Sequence, residues 1–138
     1  MSTTVDSVMT KAPVTVKAGD SLLAATRVLK EKGFKHLPVL DGNGALVGVV
    51  TDRDLKRASA SDATTLEVHE LLYLLDKLKI EQVMTRKPVS VGPQETVQGA
   101  AKLMVDKKIG CLPVVDNGKV AGIVTKDDLL RLVARSSM

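Results

Sequence analysis

Gly48-Val49-Val50-Thr51-Asp52-Arg53-Asp54-Leu55 and, later in the chain, Gly122-Ile123-Val124-Thr125-Lys126-Asp127-Asp128-Leu129 are two versions of one pattern. In each, a β-branched apolar run stops at a threonine and an amphipathic run begins. That order predicts a strand, a sharp turn and a helix start, with the threonine as N-cap and the aspartate three residues on. Two chemistries fit. In the first, Thr-x-x-Asp is a capping box, each side chain accepting from a backbone N–H that the helix leaves unpaired. In the second, it is a nucleotide seat. The helix N-terminus attracts phosphate, the hydroxyl donates, and the carboxylate accepts from ribose hydroxyls. Asp52, Asp54, Asp127 and Asp128 bring negative charge towards such a phosphate, which Arg53 and Lys126 would have to offset.

Working outward, the flanking residues repeat as well. Val8-Met9-Thr10 returns as Val83-Met84-Thr85, and Pro13-Val14-x-Val16 as Pro88-Val89-x-Val91. Leu37-Pro38-Val39-x-Asp41 returns as Leu112-Pro113-Val114-x-Asp116. Asp41 and Asp116 are 75 residues apart, whereas Gly48 and Gly122 are 74 apart. The lost residue falls in the second hairpin turn, Asn117-Gly118, where an indel is tolerated. The chain is therefore expected to hold a duplicated small unit of order β-α-β-β-α.

Within the first copy, residues 5–9 suit a short helical turn and residues 14–16 a short strand. Ala18-Gly19 is a turn. Asp20 is a good N-cap for a helix through Lys32, with Leu22, Ala25, Val28 and Leu29 on one face and Gly33 as its stop. Residues 36–40 suggest a buried strand in which Pro38 argues for an edge or a bulge. Asp41-Gly42-Asn43-Gly44 signals a hairpin, residues 45–50 return, and a helix runs to Arg57. The small, polar residues 58–65 suggest a linker. Thr64 and Glu67 form a capping-box pair for a helix to about Lys79. Its Leu66, Leu71, Leu72, Leu74, Leu75 and Leu78 are apolar on more than one side, so more than one neighbour should cover it. From Glu81 the first half starts again, closing on a helix over residues 127–133. Units of about 50 residues bury too little alone. We expect an α+β (α/β) tandem packed sheet to sheet with pseudo-two-fold symmetry, with units at residues 5–60 and 80–135 and a linker helix at 61–79.

Composition narrows function. The 138 residues are 44% hydrophobic with one Phe, one Tyr and no Trp, so the core must be aliphatic and no aromatic platform for single-stranded nucleic acid exists. The net charge of +4 is scattered, which mildly favours anionic ligands and argues against nucleic acid as a partner. A single cysteine, Cys111, excludes an intramolecular disulfide and fits a cytoplasmic setting. No signal peptide and no apolar run of spanning length is visible, so no membrane partner is expected. His36 and His69 are the only histidines and lie far apart, so no metal site is expected. No nucleophile–base set and no glycine-rich phosphate loop is present. No catalytic residue is assigned, and the chain is not expected to be an enzyme.

The Val-Met-Thr start, the Leu-Pro-Val strand and the Gly-x-x-Thr-x-x-Asp-Leu end, each occurring twice in register, resemble the CBS (cystathionine-β-synthase) domain. The pair resembles a stand-alone Bateman module. Glu67-Val68-His69-Glu70-Leu71-Leu72-Tyr73 followed by Leu78-Lys79 is also similar to the AcuB-like pairs linked to acetoin utilisation. The resemblance implies regulation by an adenine nucleotide of the AMP, ADP or ATP class, bound in the cleft between the units, with a ligand-dependent conformational change and no obligatory cofactor. It implies a homodimer with an unidentified regulated enzyme as a further partner. Carried over by position, Thr51 and Asp54 would hold phosphate and ribose with Arg53 beside them. Val14, Phe34, Lys35, His36 and Pro38 would line the base. The second set is Thr125, Asp128 and Lys126, with Val89, Ile109, Gly110, Cys111 and Pro113. Lys35, His36 and Arg53 make the first set the more cationic. The alternative is a ligand-free dimeric adaptor, for which the many-sided leucine helix is the motive.

Overall fold

The apolar runs on either side of each hairpin signal do become paired strands. The computed structural model describes residues 3–60 and 68–136. Its strands are β1 (Thr10–Lys11), β2 (Val16–Lys17), β3 (His36–Leu40), β4 (Leu46–Thr51), β5 (Thr85–Arg86), β6 (Cys111–Asp116) and β7 (Lys119–Thr125). Its helices are α1 (Leu22–Lys32), α2 (Asp52–Ala60), α3 (Val68–Lys77), α4 (Val97–Lys107) and α5 (Lys126–Arg135). The architecture is mixed α+β with two sheets. By contacts it divides into Val14–Lys87 and a second unit made of Met1–Pro13 with Pro88–Met138.

In the Val14–Lys87 unit the sheet order is β2-β3-β4-β5. β2 pairs parallel with β3, so α1 makes the crossover that a parallel pair requires. Ser21, not Asp20, caps that helix. Its hydroxyl accepts from the Ala24 N–H at 3.1 Å, while Asp20 Oδ2 accepts from the Lys17 N–H and closes the preceding turn. Gly33 ends the helix at φ 69° as expected, because a left-handed terminator carries no Cβ penalty there. The first strand is shorter and later than residues 14–16, beginning only at Val16.

Pro38 is the second correction. β3 lies between β2 and β4, so it is no edge. The ladder to β2 begins only at Val39, one residue beyond the proline, and a register shift falls between Val39 and Leu40. The missing N–H therefore costs no β2 bond, and Pro38 itself pairs in regular register with Val49, the irregularity falling beyond Val39 where Val47 of β4 is the extra residue. Asp41 Oδ1 accepts from the N–H groups of Asn43 (2.8 Å) and Ala45 (2.9 Å), which fixes the hairpin.

Leu22, Ala25, Leu29, Leu37, Val39, Val50 and Leu55 form this unit's core, joined by Leu75 of α3 and by Ile80. Each fully buried leucine contributes about 1.5–3 kcal/mol relative to exposure. Leu71 and Leu78 pack against the same core, while Leu72 and Tyr73 face solvent. Among the described residues α3 is thus covered on one side. Residues 58–60, expected in the linker, continue α2 instead. The rest of that linker, with Leu66 and the Thr64–Glu67 pair, lies outside the described residues.

The second unit repeats the plan around a three-stranded sheet of order β1-β7-β6. Thr96 caps α4, its hydroxyl accepting from the Gly99 N–H at 3.0 Å. The hairpin turns on Asn117 (φ 52°) and Gly118 (φ 79°), both left-handed as a two-residue turn demands. The expected strand around Val91 is reduced to a single parallel bridge with Val114. Val5, Val91, Ala100, Met104, Leu112, Val114 and Val124 fill its core. The final helix is longer than expected, Lys126–Arg135.

The sheets are completed across the repeat boundary. β5, from the opening of the second copy, pairs with β4 of the first. β1, from the opening of the first copy, pairs with β7 of the second. Each Val-Met-Thr arm lands on a glycine. An added Cβ at Gly48 would meet Met84 Sδ and lie 2.8 Å from the Thr85 carbonyl oxygen. At Gly122 it would meet Met9 Sδ and lie 2.8 Å from that of Thr10. Neither distance leaves room for a methyl group. Gly48→Ala and Gly122→Ala are each expected to lower unfolding free energy in urea by about 1–3 kcal/mol, the usual cost of overpacking. Pairing Gly48→Ala with Met84→Ala should not restore stability, because the carbonyl stays in place.

Candidate functional site

β4 ends at Thr51 and β7 ends at Thr125, and in both units the next residue opens a helix. Each Thr-x-x-Asp closes as a reciprocal box. The Asp54 N–H donates to Thr51 Oγ1 at 3.1 Å, and the Thr51 N–H to Asp54 Oδ2 at 3.0 Å. The Asp128 N–H donates to Thr125 Oγ1 at 3.3 Å, and the Thr125 N–H to Asp128 Oδ2 at 2.8 Å. The capping reading is therefore realised in both copies. It leaves the nucleotide chemistry open. Each threonine hydroxyl accepts one bond and keeps its proton to donate, and each carboxylate holds a second oxygen.

The strand before each Leu-Pro-Val segment comes to the same place. His36 is the register partner of Thr51, and Cys111 that of Thr125. The Asp52 N–H donates to the Lys35 carbonyl at 3.0 Å, and the Lys126 N–H to the Gly110 carbonyl at 3.0 Å. Lys35, His36, Thr51, Arg53 and Asp54 are thus gathered at one helix start, and Gly110, Cys111, Thr125, Lys126 and Asp128 at the other. Pro38 and Pro113 sit opposite Val49 and Ile123, two residues further along each hairpin. Phe34 is exposed, while Ile109 packs on its unit's core. Val14 precedes the β2–β3 ladder by two residues and is exposed, whereas Val89 packs on its core.

The two starts are not equivalent. Asp128 is buried, at 6% exposure, and its Oδ1 is held by the Arg131 guanidinium one turn on. Arg57 is the positional counterpart of Arg131, yet among the described residues it makes no ion pair with half-buried Asp54. The Arg131 contact is absent from the sequence expectations, although an i,i+3 Asp–Arg spacing on a helix signals it. Charge differs too, since Asp127 stands where the first copy has Arg53, and Gly110 where it has Lys35. Among the described residues no group of three His, Cys, Asp or Glu could hold a metal, and no helix is long and apolar enough to cross a membrane.

Comparison with known proteins bears on what such a pair belongs to. The model of the CBS domain matches residues 5–61 and 80–135. A CBS domain-containing protein of Dictyostelium discoideum is 35% identical over 98% of this chain and 94% of its own length. A homoserine O-acetyltransferase of Methanococcoides burtonii is 36% identical over 95% of this chain, which spans only 24% of that protein. The crystal structure of the CBS domain pair of protein MJ0100, in complex with 5′-methylthioadenosine and S-adenosyl-L-methionine, superposes with a TM-score of 0.83 at 32% identity, covering 97% of this chain and 98% of that one. CBSX2 of Arabidopsis thaliana in complex with AMP gives 0.81 at 31% identity, covering 96% and 97%. A Vibrio cholerae chain assigned to acetoin utilization (AcuB) gives 0.79 at 29%, covering 97% and 92%.

The boxes carry a stability prediction independent of any ligand. Thr51→Ala and Thr125→Ala should each cost about 1 kcal/mol in urea unfolding, whereas the serine variants, which keep the acceptor oxygen, should lose much less.

Proposed function

The chain belongs to the CBS domain family, with the unit present twice, and on that premise we propose that it is a regulatory protein responding to an adenine nucleotide of the AMP, ADP or ATP class. The observation that carries this reading is the duplicated Thr-x-x-Asp box at a helix start. In each, a hydroxyl oxygen accepts from an N–H at the positive end of a helix dipole and keeps its proton to donate, with a carboxylate beside it. The AMP held by CBSX2 and the adenosine derivatives held by the MJ0100 pair support adenosine as the shared part of the ligand. Lys35, His36 and Arg53 favour the first start for a phosphate-bearing ligand. At the second, Asp127 opposes phosphate and Arg131 already occupies one carboxylate oxygen. Binding regulates only if the ligand prefers one conformation, and the shift in population is the signal. The working form in this reading is a homodimer.

A ligand-free adaptor is the second reading, favoured by the exposed Leu72 and Tyr73 of α3. A thermal-shift panel of AMP, ADP, ATP, GTP and S-adenosylmethionine on nucleotide-free protein separates the two. A ligand at one hundred times its Kd should add about 2.7 kcal/mol of stability and raise Tm. Isothermal calorimetry on the Asp54→Ala/Asp128→Ala variant, checked for folding, should show no binding. Unchanged affinity there would remove the site assignment, and no shift with any ligand would favour the adaptor.

A further inference from the structure

One ion pair separates the two helix starts more sharply than their overall charge does. At the second, both carboxylate oxygens of Asp128 are engaged, Oδ2 by the Thr125 N–H at 2.8 Å and Oδ1 by the Arg131 guanidinium. The arginine side chain is 62% exposed and the aspartate 6%, so the contact closes Oδ1 from the solvent side. At the first, Asp54 is half-buried and uses Oδ2 on the Thr51 N–H. Arg57 has the same i,i+3 spacing from it, yet among the described residues it makes no ion pair. The residue four positions before each arginine accounts for the difference. Asp127 precedes Arg131 and, with Asp128, draws the guanidinium back along the helix. Arg53 precedes Arg57 and repels it.

We infer that Arg131 is an internal competitor for the ligand at the second start, so that the two starts of one chain fill at different ligand concentrations. The inference rests on the adenine-nucleotide reading above and adds how occupancy is graded. A ribose hydroxyl that donates to Asp54 Oδ1 meets an oxygen with no partner among the described residues. One that donates to Asp128 Oδ1 must first move a guanidinium, and the lost charge-assisted bond subtracts from the affinity. The arginine is not trapped. Its side chain lies mostly in solvent and turns away without unpacking the core. The buried carboxylate stays satisfied, because ribose hydroxyls take the place of the guanidinium. Displacement also sets an unpaired cation on the outer face of α5. The first start cannot signal in that way, since Arg57 is unpaired already among the described residues.

The test is isothermal calorimetry with adenosine on the full chain carrying Asp54→Ala, so that the second start is read alone. Adenosine has the ribose hydroxyls and no charge of its own for salt to screen. Because it must break an ion pair, its affinity should rise with salt, which weakens that pair. Adding Arg131→Gln should tighten adenosine about fivefold, what an ion pair with one exposed member is worth, and should abolish the salt response. Asp127→Arg, which copies the first unit, should move affinity the same way and serves if the glutamine variant loses its fold by circular dichroism. A merely structural role for Arg131 would lower Tm and leave the salt response in place. Unchanged or weaker binding in both variants overturns the competitor and leaves the nucleotide reading standing. So does binding absent from all three chains while the unaltered protein takes up adenosine. An unaltered protein that binds no adenine ligand removes both.

Discussion

Met84 against Gly48 and Met9 against Gly122 hold each unit to a segment from the far side of the repeat boundary. The rest of the sheet scaffold in a unit is local: a hairpin, a crossover helix and a helix that follows a threonine. The second antiparallel pairing, β4 with β5 or β7 with β1, is not. It exists because a glycine lets a methionine and a carbonyl approach the middle of β4 or β7 more closely than a side chain allows. Each arm then leaves through a residue forced to positive φ, Ala12 at 47° and Lys87 at 49°. Non-glycine residues tolerate that conformation only when surrounding contacts hold them there.

That constraint also positions the candidate site. β4 and β7 are each paired on both sides, by β3 and β5 in one unit and by β6 and β1 in the other. A strand fixed on two sides delivers its last residue to a fixed point. Thr51 and Thr125 are those last residues, and the helices they cap start from a scaffold that cannot slide. The boxes are otherwise small, two hydrogen bonds apiece. The difference between the copies lies in what surrounds them, with exposed Lys35 and Arg53 at one and an engaged aspartate at the other.

Much of this was legible in the sequence, and the exceptions share a cause. The hairpins, the Gly33 stop and both Thr-x-x-Asp boxes depend on residues a few positions apart, so the local pattern decides them. Asp20 and Ser21 are adjacent and both able to cap. Which one does so depends on a turn that claims Asp20 through the Lys17 N–H. Pro38 argued for an edge because its neighbours could not be seen. Its place in the middle of a sheet follows from where β2 begins to pair. The arms were the least legible, since two copies of Val-Met-Thr and two copies of the glycine are compatible with either pairing. Arg131 lay within reach of local reasoning, because its spacing from Asp128 marks one turn of helix. The nucleotide chemistry is a different matter, since the same threonine and aspartate cap the helix whether or not a ribose is there to meet them.

The exchange of arms sets an order of events during synthesis. A chain emerging from a ribosome at about 5–20 residues per second folds as its parts become available. The Val14–Lys87 unit has all its strands once Arg86 is out. The other unit does not. Its β1 is made well before its partner β7, so Thr10–Lys11 must wait for that pairing until Lys119–Thr125 appears. Closing so long a loop is slow but adds little to the equilibrium cost. When β7 does appear, its edge away from β6 meets a strand that is already made.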